Sequence, residues 1–354
     1  MVGAEERAGG GGVQALVTLP GLESFLIGEC KRCGIRVEGV EDGWALTGDD
    51  ARGAVGRIGT LRALAEVVWS GPAEQLPSRL PSAERLWFEG QVINGGARCE
   101  AVRHAVLRAC GVPQSVQPDG LPGTLAIVNR QGLALVGEAL AWGLERRRSY
   151  RVALMARSLN PTMARAMAMA SRARPGDVFL DPFCGSGTVL AERALLGACR
   201  LIGRDADTGA VDAASRTLAS LCLSTPRDPG SEAAVTAPDA DIRVGDARAL
   251  DLPDGAVSAV AMNPPFGHRF GRAEDNADLY PRALREAARV LCPRGRLVIL
   301  TGDRRHLRQA LRACGPLWRV RSEARVYLGG LEPTLGVYDR TEAAPPPRRE
   351  PEID

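Results

Sequence analysis

The sequence predicts an α/β chain in which a doubly wound parallel sheet follows two small α+β modules. Three observations lead there. From about residue 150, apolar strand-like runs alternate with amphipathic helical stretches, and alternating β and α units fold as a parallel sheet covered on both faces. Before that point, strand, helix and hairpin patterns follow one another at short spacing. Pro72, Pro77 and Pro81 form a linker-like stretch, and the arginine-rich segment Glu145 to Tyr150 leads into the third region. At roughly 100–200 residues per domain, 354 residues suit this division.

Residues 14–18 (QALVT) read as a strand that Pro20-Gly21 breaks. The stretch LESFLIGECKRCG reads as an amphipathic helix ended by Gly34, with Leu22, Phe25, Leu26 and Cys33 toward a core. IRVEGVEDGWALTG reads as a hairpin turning at Asp42-Gly43. Residues 51–68 are expected to be helical. RLWFEGQVI then reads as a strand, CEAVRHAVLRACG as a helix, and GTLAIVNR and LALVGEAL as strands. In the third region DVFLD, CRLIGRD, DIRVGD, VSAVAM and GRLVIL are the strands, with helices between them. Residues 224–240 are polar and proline-rich and read as a surface insertion. The expected organisation is a flexible leader at 1–12, a ferredoxin-like module at 13–75, a compact module at 76–148, the doubly wound domain at 149–340 and a disordered tail at 341–354.

Hydrophobic residues at 45% and charged residues at 25% exclude a disordered chain or a fibre. No apolar run of about 18 residues appears, so no membrane span is expected. MVGAEERAGGGG lacks the apolar core of a secretory signal, which makes the cytoplasm the expected compartment and reduced thiols the expected state of the nine cysteines. Cys30 and Cys33 have metal-like spacing, but no second such pair or histidine cluster completes a site; they read as helix residues, and no metal is expected. Lys31 is the only lysine among 45 basic residues, so the cationic side chains are arginines, whose planar forks suit phosphate. Residues 1–150 carry net −1 and residues 151–340 net +6. An anionic partner is therefore expected on the second part.

Four motifs carry chemistry. Asp181-Pro182-Phe183-Cys184-Gly185-Ser186-Gly187-Thr188 follows the strand VFLD and opens a helix. Gly185 and Gly187 allow a sharp turn and close approach to a ligand at the carboxyl end of a strand, although a purely structural turn would use the same residues. Asp205, with Ala206 beside it, ends the next strand and is placed to accept ribose hydroxyls; the alternative is a helix cap. Asp246, followed by Ala247, is suited to accept from the exocyclic amine of an adenine. Asn263-Pro264-Pro265-Phe266-Gly267 follows the apolar strand VSAVAM. Its prolines stiffen the loop, the Asn263 oxygen and Pro264 carbonyl can both accept from one planar amine, and Phe266 can stack on a base.

In this order the motifs resemble those of class I S-adenosylmethionine-dependent methyltransferases acting on a planar amine. The same order occurs in some adenine-N6 DNA enzymes and protein-glutamine methyltransferases. The flanks narrow the resemblance. Pro20-Gly21-Leu22-Glu23, the stretch Tyr150-Arg151 followed by Ser158-Leu159-Asn160-Pro161-Thr162-Met163-Ala164, and NPPFGHRFG at 263–271 are similar to segments of the THUMP-domain RNA methyltransferases. That resemblance spans about residues 14–340 and is strongest at 150–305. It implies a Rossmann-like class I methyltransferase domain, a THUMP-like module at 76–148, S-adenosylmethionine as cofactor, and methylation of guanine N2 in RNA, with tRNA ahead of rRNA. It further implies cofactor contacts from Asp181, Pro182, Phe183, Gly185, Ser186, Gly187, Thr188, Asp205, Ala206, Asp246, Ala247 and Asn263. Catalysis falls to Asn263, Pro264, Pro265 and Phe266, and substrate binding to Phe266, Gly267, His268, Arg269 and Asn160. The chain departs from the family at 76–140, which is compact and not basic. Another planar amine as substrate, or a non-catalytic RNA-binding protein with this fold, are the alternative readings. The oligomeric state stays open.

Overall fold

The computed structural model of the chain describes residues 12–76, 86–90, 105, 108, 124–128, 133–153, 155, 158–221, 238–266, 275–328 and 330–343. The expected leader, the helix at CEAVRHAVLRACG, the insertion at 224–240 and the tail fall mostly outside these residues.

The first half forms a seven-stranded sheet. Its elements are β1 (Gln14–Val17), α1 (Glu23–Arg32), β2 (Gly39–Glu41), β3 (Trp44–Thr47), β4 (Ala63–Pro72), β5 (Leu86–Gly90), β6 (Thr124–Val128) and β7 (Leu133–Trp142), with strand order β2-β3-β1-β4-β7-β6-β5. Asp42-Gly43 makes the expected turn between β2 and β3, with Gly43 at φ 100°. Cys30 is buried in α1 and Cys33 caps it, both as free thiols.

One expectation is corrected here, and one boundary gains a structural detail. Residues 51–68 hold only a 3-10 turn, Arg52–Ala54, and then the start of β4. Ala63, Leu64 and Ala65 sit between β1 and β7 and are fully buried. A strand in that position loses its alternation and resembles a helix by composition, and pairing on both edges decides the outcome. The boundary at 75/76 also does not separate two sheets, because β4 pairs with β7 along its whole length. The proposed linker start at Pro72 is the last residue of that ladder.

The second half is a seven-stranded sheet of β8 (Val178–Asp181), β9 (Arg200–Asp205), β10 (Ala240–Val244), β11 (Val257–Met262), β12 (Leu291–Thr301), β13 (Trp318–Arg325) and β14 (Thr334–Arg340), in the order β10-β9-β8-β11-β12-β14-β13. Its helices are α2 (Pro161–Ala170), α3 (Thr188–Ala194), α4 (Thr208–Leu221), α5 (Asp275–Val290) and α6 (Arg304–Ala313). β8 to β12 are parallel, as alternation predicts, but β14 runs antiparallel between β12 and β13. The hairpin escaped the pattern because β13 (WRVRSEAR), although it alternates, lacks the apolar run that marks the other strands and is exposed beyond Trp318. Helices cover both faces of the sheet, and two apolar clusters, one centred on Phe179, Met163 and Leu190 and the other on Leu180, Val260 and Leu284, form the core. Among the described residues no helix is long and apolar enough to cross a membrane.

The two halves are joined through buried groups. Leu19 and Leu22, from the loop after β1, pack into the core of the second sheet. Pro20 accepts the Tyr327 N–H at 3.0 Å, and the Glu23 carboxylate accepts from Gly21 and Gly43 backbone N–H groups. Arg165 of α2 reaches Glu29 of α1 at 2.9 Å and Glu192 of α3 at 3.7 Å, and Glu29 also accepts from both the backbone and hydroxyl of Thr60. Tyr150 donates to Glu192 at 2.6 Å. The Pro-Gly-Leu-Glu motif is therefore part of this junction.

Candidate functional site

The site lies where β8, β9, β10 and β11 end, at the carboxyl edge of a parallel sheet, where such folds bind ligands. Asp181 ends β8 and is buried; its Oδ1 accepts the Phe183 N–H at 3.0 Å. Burial, with the charge of Asp205 nearby, raises its carboxyl to about 8 despite that hydrogen bond. The chain then turns through Gly185 at φ 49° and Gly187 at φ 78°. A Cβ on Gly187 would lie 3.0 Å from Ala214 Cα of α4, so the loop needs glycine there to seat α3 against α4. At Gly185 a Cβ would meet nothing within 4 Å, so the backbone there faces open space. Pro182, Cys184, Ser186 and Thr188 are buried, and Phe183 is half-buried. Ser186 Oγ lies 2.7 Å from Ser158 Oγ, which ties the segment before α2 to the glycine loop.

Asp205 ends β9. Its Oδ2 accepts the Gly185 N–H at 2.9 Å, and its Oδ1 accepts the Asp207 N–H at 3.0 Å. Asp205 thus braces the glycine loop while its half-buried carboxylate keeps further lone pairs. Ala206 beside it is exposed. Asp246 follows β10 with buried Ala247 next to it, and is held in a two-pronged ion pair by Arg248, with its Oδ2 2.8 Å from Nη2. That pairing holds the Asp246 carboxyl below its usual range. The structure thus gives Asp246 a partner that the sequence reading did not foresee.

Asn263 leaves β11 with its side chain half-buried, and its Oδ1 is buried without a hydrogen-bond partner. A buried amide oxygen left unsatisfied costs free energy, typically about 1–3 kcal/mol. Pro264 is buried, Pro265 exposed and Phe266 half-buried. Two donors hold the Pro265 carbonyl: Tyr280 Oη at 2.8 Å and Asn276 Nδ2 at 3.2 Å, both from α5. Tyr280 also meets Thr301 Oγ1 at 2.7 Å, and Asn276 donates to Asp303 at 3.0 Å. Asp303 caps α6 through the His306 N–H and bonds the His306 ring at 2.6 Å. Burial alone would raise Asp303; the Asn276 and His306 contacts outweigh it and hold the carboxyl low. The Phe266 ring lies over Gly302, where a Cβ would come within 2.9 Å. Sequence reasoning missed this whole clamp. The one local signal was Thr-Gly-Asp closing an apolar strand ahead of a helix.

Asn160 stands at the start of α2. Its side-chain oxygen caps α2 by accepting the Thr162 N–H at 2.9 Å. Gly267, His268 and Arg269 lie outside the described residues. Among the described residues no group of three or more His, Cys, Asp and Glu side chains could hold a metal ion.

The residues present fit S-adenosylmethionine. Asp181, Asp205 and Asp246 end three adjacent strands beside an open glycine turn. The Asp205 and Asp246 carboxylates suit ribose hydroxyls and an exocyclic amine, and disfavour a phosphate-bearing nucleotide.

Comparison with known proteins agrees with this architecture. The family described as UPF0020, RMKL-like methyltransferase domain, matches residues 148–334. The bovine tRNA (guanine(6)-N(2))-methyltransferase THUMP3 is 33% identical over 186 residues, 52% of this chain and 36% of that protein. The tRNA (guanine(6)-N2)-methyltransferase of Thermus thermophilus is 32% identical over 243 residues, 68% of this chain and 66% of that protein. The crystal structure of TrmN from Thermus thermophilus superposes with a TM-score of 0.65 at 26% identity, covering 93% of this chain and 99% of that one. The match to the mammalian relatives spans only 36–37% of their length. The second half is a class I methyltransferase fold.

Proposed function

The chain belongs to the UPF0020 family of RMKL-like methyltransferase domains, and from that premise we propose that it methylates the N2 amine of a guanosine in tRNA, with S-adenosylmethionine as donor. The observation that carries the reading is the Asn263 Oδ1: buried, unpartnered and set at the carboxyl end of β11 beside the glycine loop. An exocyclic amine satisfies that acceptor. The likeness to proteins named as guanine-N2 methyltransferases supports guanine over adenine or a protein amide.

When bound, the cofactor supplies a methyl group on a sulfonium, whose C–S bond breaks as the new C–N bond forms. The chain's own residues position the amine. Its lone pair is delocalised into the ring, so the nitrogen must pyramidalise before it attacks. Asn263 Oδ1 accepts one N–H; the Pro264 carbonyl is the second acceptor, since the clamp from α5 falls on Pro265 instead. Acceptors fixed in advance stabilise the positive charge that grows on nitrogen. Phe266 holds the base by stacking, and the surplus proton leaves to water. A paired base must first be extruded from its helix. On this reading Gly267, His268 and Arg269, next in sequence, are assigned to the nucleotide, and the first half to ferredoxin-like (13–75) and THUMP-like (76–148) parts. The cytoplasm is the compartment in which tRNA is met.

Incubation with an unmodified tRNA transcript and methyl-labelled cofactor, followed by nucleoside mass spectrometry, tests the proposal. N2-methylguanosine is the expected product. N6-methyladenosine, or no labelled nucleoside with any tRNA or rRNA, would sink it.

A further inference from the structure

Most buried or half-buried arginines of the second half are consumed internally. Arg165 pairs with Glu29, Arg204 with Asp241 and Asp251, Arg289 with Glu286 and Asp254, and Arg296 with Asp339. Helix α6 is built differently. Its ten residues, RRHLRQALRA, contain four arginines and no acid. At 3.6 residues per turn, Arg304, Arg305, Arg308 and Arg312 fall within an arc of about 100°. Leu307 and Ala310 fill the opposite, buried side. Arg305, Arg308 and Arg312 are exposed and Arg304 is half-buried. Among the described residues none of the four side chains has an ion pair or hydrogen bond, and the Arg308 charge bears only on the Tyr338 hydroxyl, which itself donates to Glu323. Asp303, the nearest acid in sequence, is already taken by Asn276 and His306.

This arrangement works against the helix. Arg304–Arg308 and Arg308–Arg312 are like-charge pairs at i,i+4, which repel. Arg304 and Arg305 occupy the first turn, where the helix dipole disfavours cations; only Arg312 stands at the favourable end. Four unpaired guanidiniums on one face, two of them at the unfavourable end, suit an anion that arrives from outside.

The position of α6 indicates which anion. The helix starts directly after Gly302, which carries the Phe266 ring, and its cap Asp303 is bonded through Asn276 to the Pro265 carbonyl. The stripe therefore starts at the rim of the base pocket and runs away from it. We propose that the arginine face of α6 binds the sugar-phosphate backbone of the RNA next to the extruded nucleotide. A row of guanidiniums stepped by one helical turn, about 5–6 Å apart, can follow successive phosphates. The proposal rests on the reading of the chain as an RNA methyltransferase.

The test compares the full-length protein with its Arg304→Gln/Arg308→Gln/Arg312→Gln variant on a tRNA transcript, with salt varied. The KM for tRNA should rise at least about tenfold near 0.1 M salt, because neutralised phosphates dominate nucleic-acid affinity. Each lost contact should flatten the slope of log KM against log salt by about 0.7–0.9. Cofactor affinity and kcat at saturating tRNA should hold, the melting temperature should hold or rise as repulsion is relieved, and the triple lysine variant should recover much of the KM. An unchanged KM and salt slope in the folded variant overturns the proposal. If the triple variant does not fold, Arg308→Gln/Arg312→Gln, both at exposed positions, is held to the same criteria. A parent protein that methylates no RNA would instead overturn the function, and this surface with it. A parent that does, matched by its variant, overturns the surface alone.

Discussion

The glycine loop after β8 and the proline loop after β11 flank the same site and are held by opposite means. The first is self-contained: Asp181 accepts from Phe183 two residues on, Asp205 grips the Gly185 amide, and two left-handed glycines make the turn. The second is stiffened by its own prolines but anchored from outside, through Tyr280 and Asn276 of α5 and behind them Thr301, Asp303 and His306. In the first, buried polar groups are partnered; in the second, the Asn263 oxygen is left open. The cofactor side is thus finished by folding, whereas the substrate side keeps one acceptor for a ligand.

Asn263→Ala should break the contrast most severely. Removal of one preorganised group at the reacting centre typically costs about 10²–10³ in rate, so methyl transfer should fall by that much while calorimetric cofactor affinity stays close to the parent's. Equal loss of both would reassign Asn263 to the cofactor. Gly187→Ala attacks the other loop. A side chain at φ 78°, pressed on Ala214, should cost about 1–2 kcal/mol, seen as a lower melting temperature with weaker cofactor binding. Tyr280→Phe removes one clamp on Pro265 and leaves the glycine loop intact. About 1 kcal/mol of stability should go with that hydrogen bond, and a kcat decrease of up to about tenfold corresponds to 1.4 kcal/mol at the barrier. An unchanged kcat would show that the prolines alone hold the loop.

The smallest effect concerns pH. Asp181 titrates near 8 when folded against 3.8 ordinarily, so the folded chain keeps a proton that the unfolded chain releases. The stability this contributes is complete below about pH 4 and is lost as pH rises through about 8. Asp181→Asn, which retains an acceptor for the Phe183 amide, should flatten the fall in melting temperature of the cofactor-free protein between pH 5 and 8. Parallel curves for parent and variant would place the proton elsewhere.

The same contrast explains what could be read from the sequence. The glycine loop and Asp205 were legible because their determinants are local and chemically distinctive. Asn263 was legible as a motif, but its clamp was not: Tyr280 and Asn276 meet Pro265, and Thr301 meets Tyr280, only through the fold, and nothing in their spacing announces it. Asp246 was singled out without its Arg248 partner, and Asn160 without its helix-capping bond. Strands β8 to β12 follow from apolar runs between helices. β4 and β13 failed for opposite reasons: β4 opens with three consecutive buried residues, whereas β13 beyond Trp318 is exposed on both faces.

The junction between the halves has a consequence for dissection. Arg165 and Glu192 belong to the methyltransferase fold, yet Arg165 is neutralised chiefly by Glu29 of the other sheet, and Leu19 and Leu22 complete the methyltransferase core. A fragment starting at Arg148 would lose Glu29, leaving the Arg165 guanidinium short of its main partner, and stripping one member from a buried pair typically costs about 3–5 kcal/mol. The frontier visible along the chain is not a frontier in free energy, and the catalytic half is predicted to melt early or aggregate when cut from its neighbour.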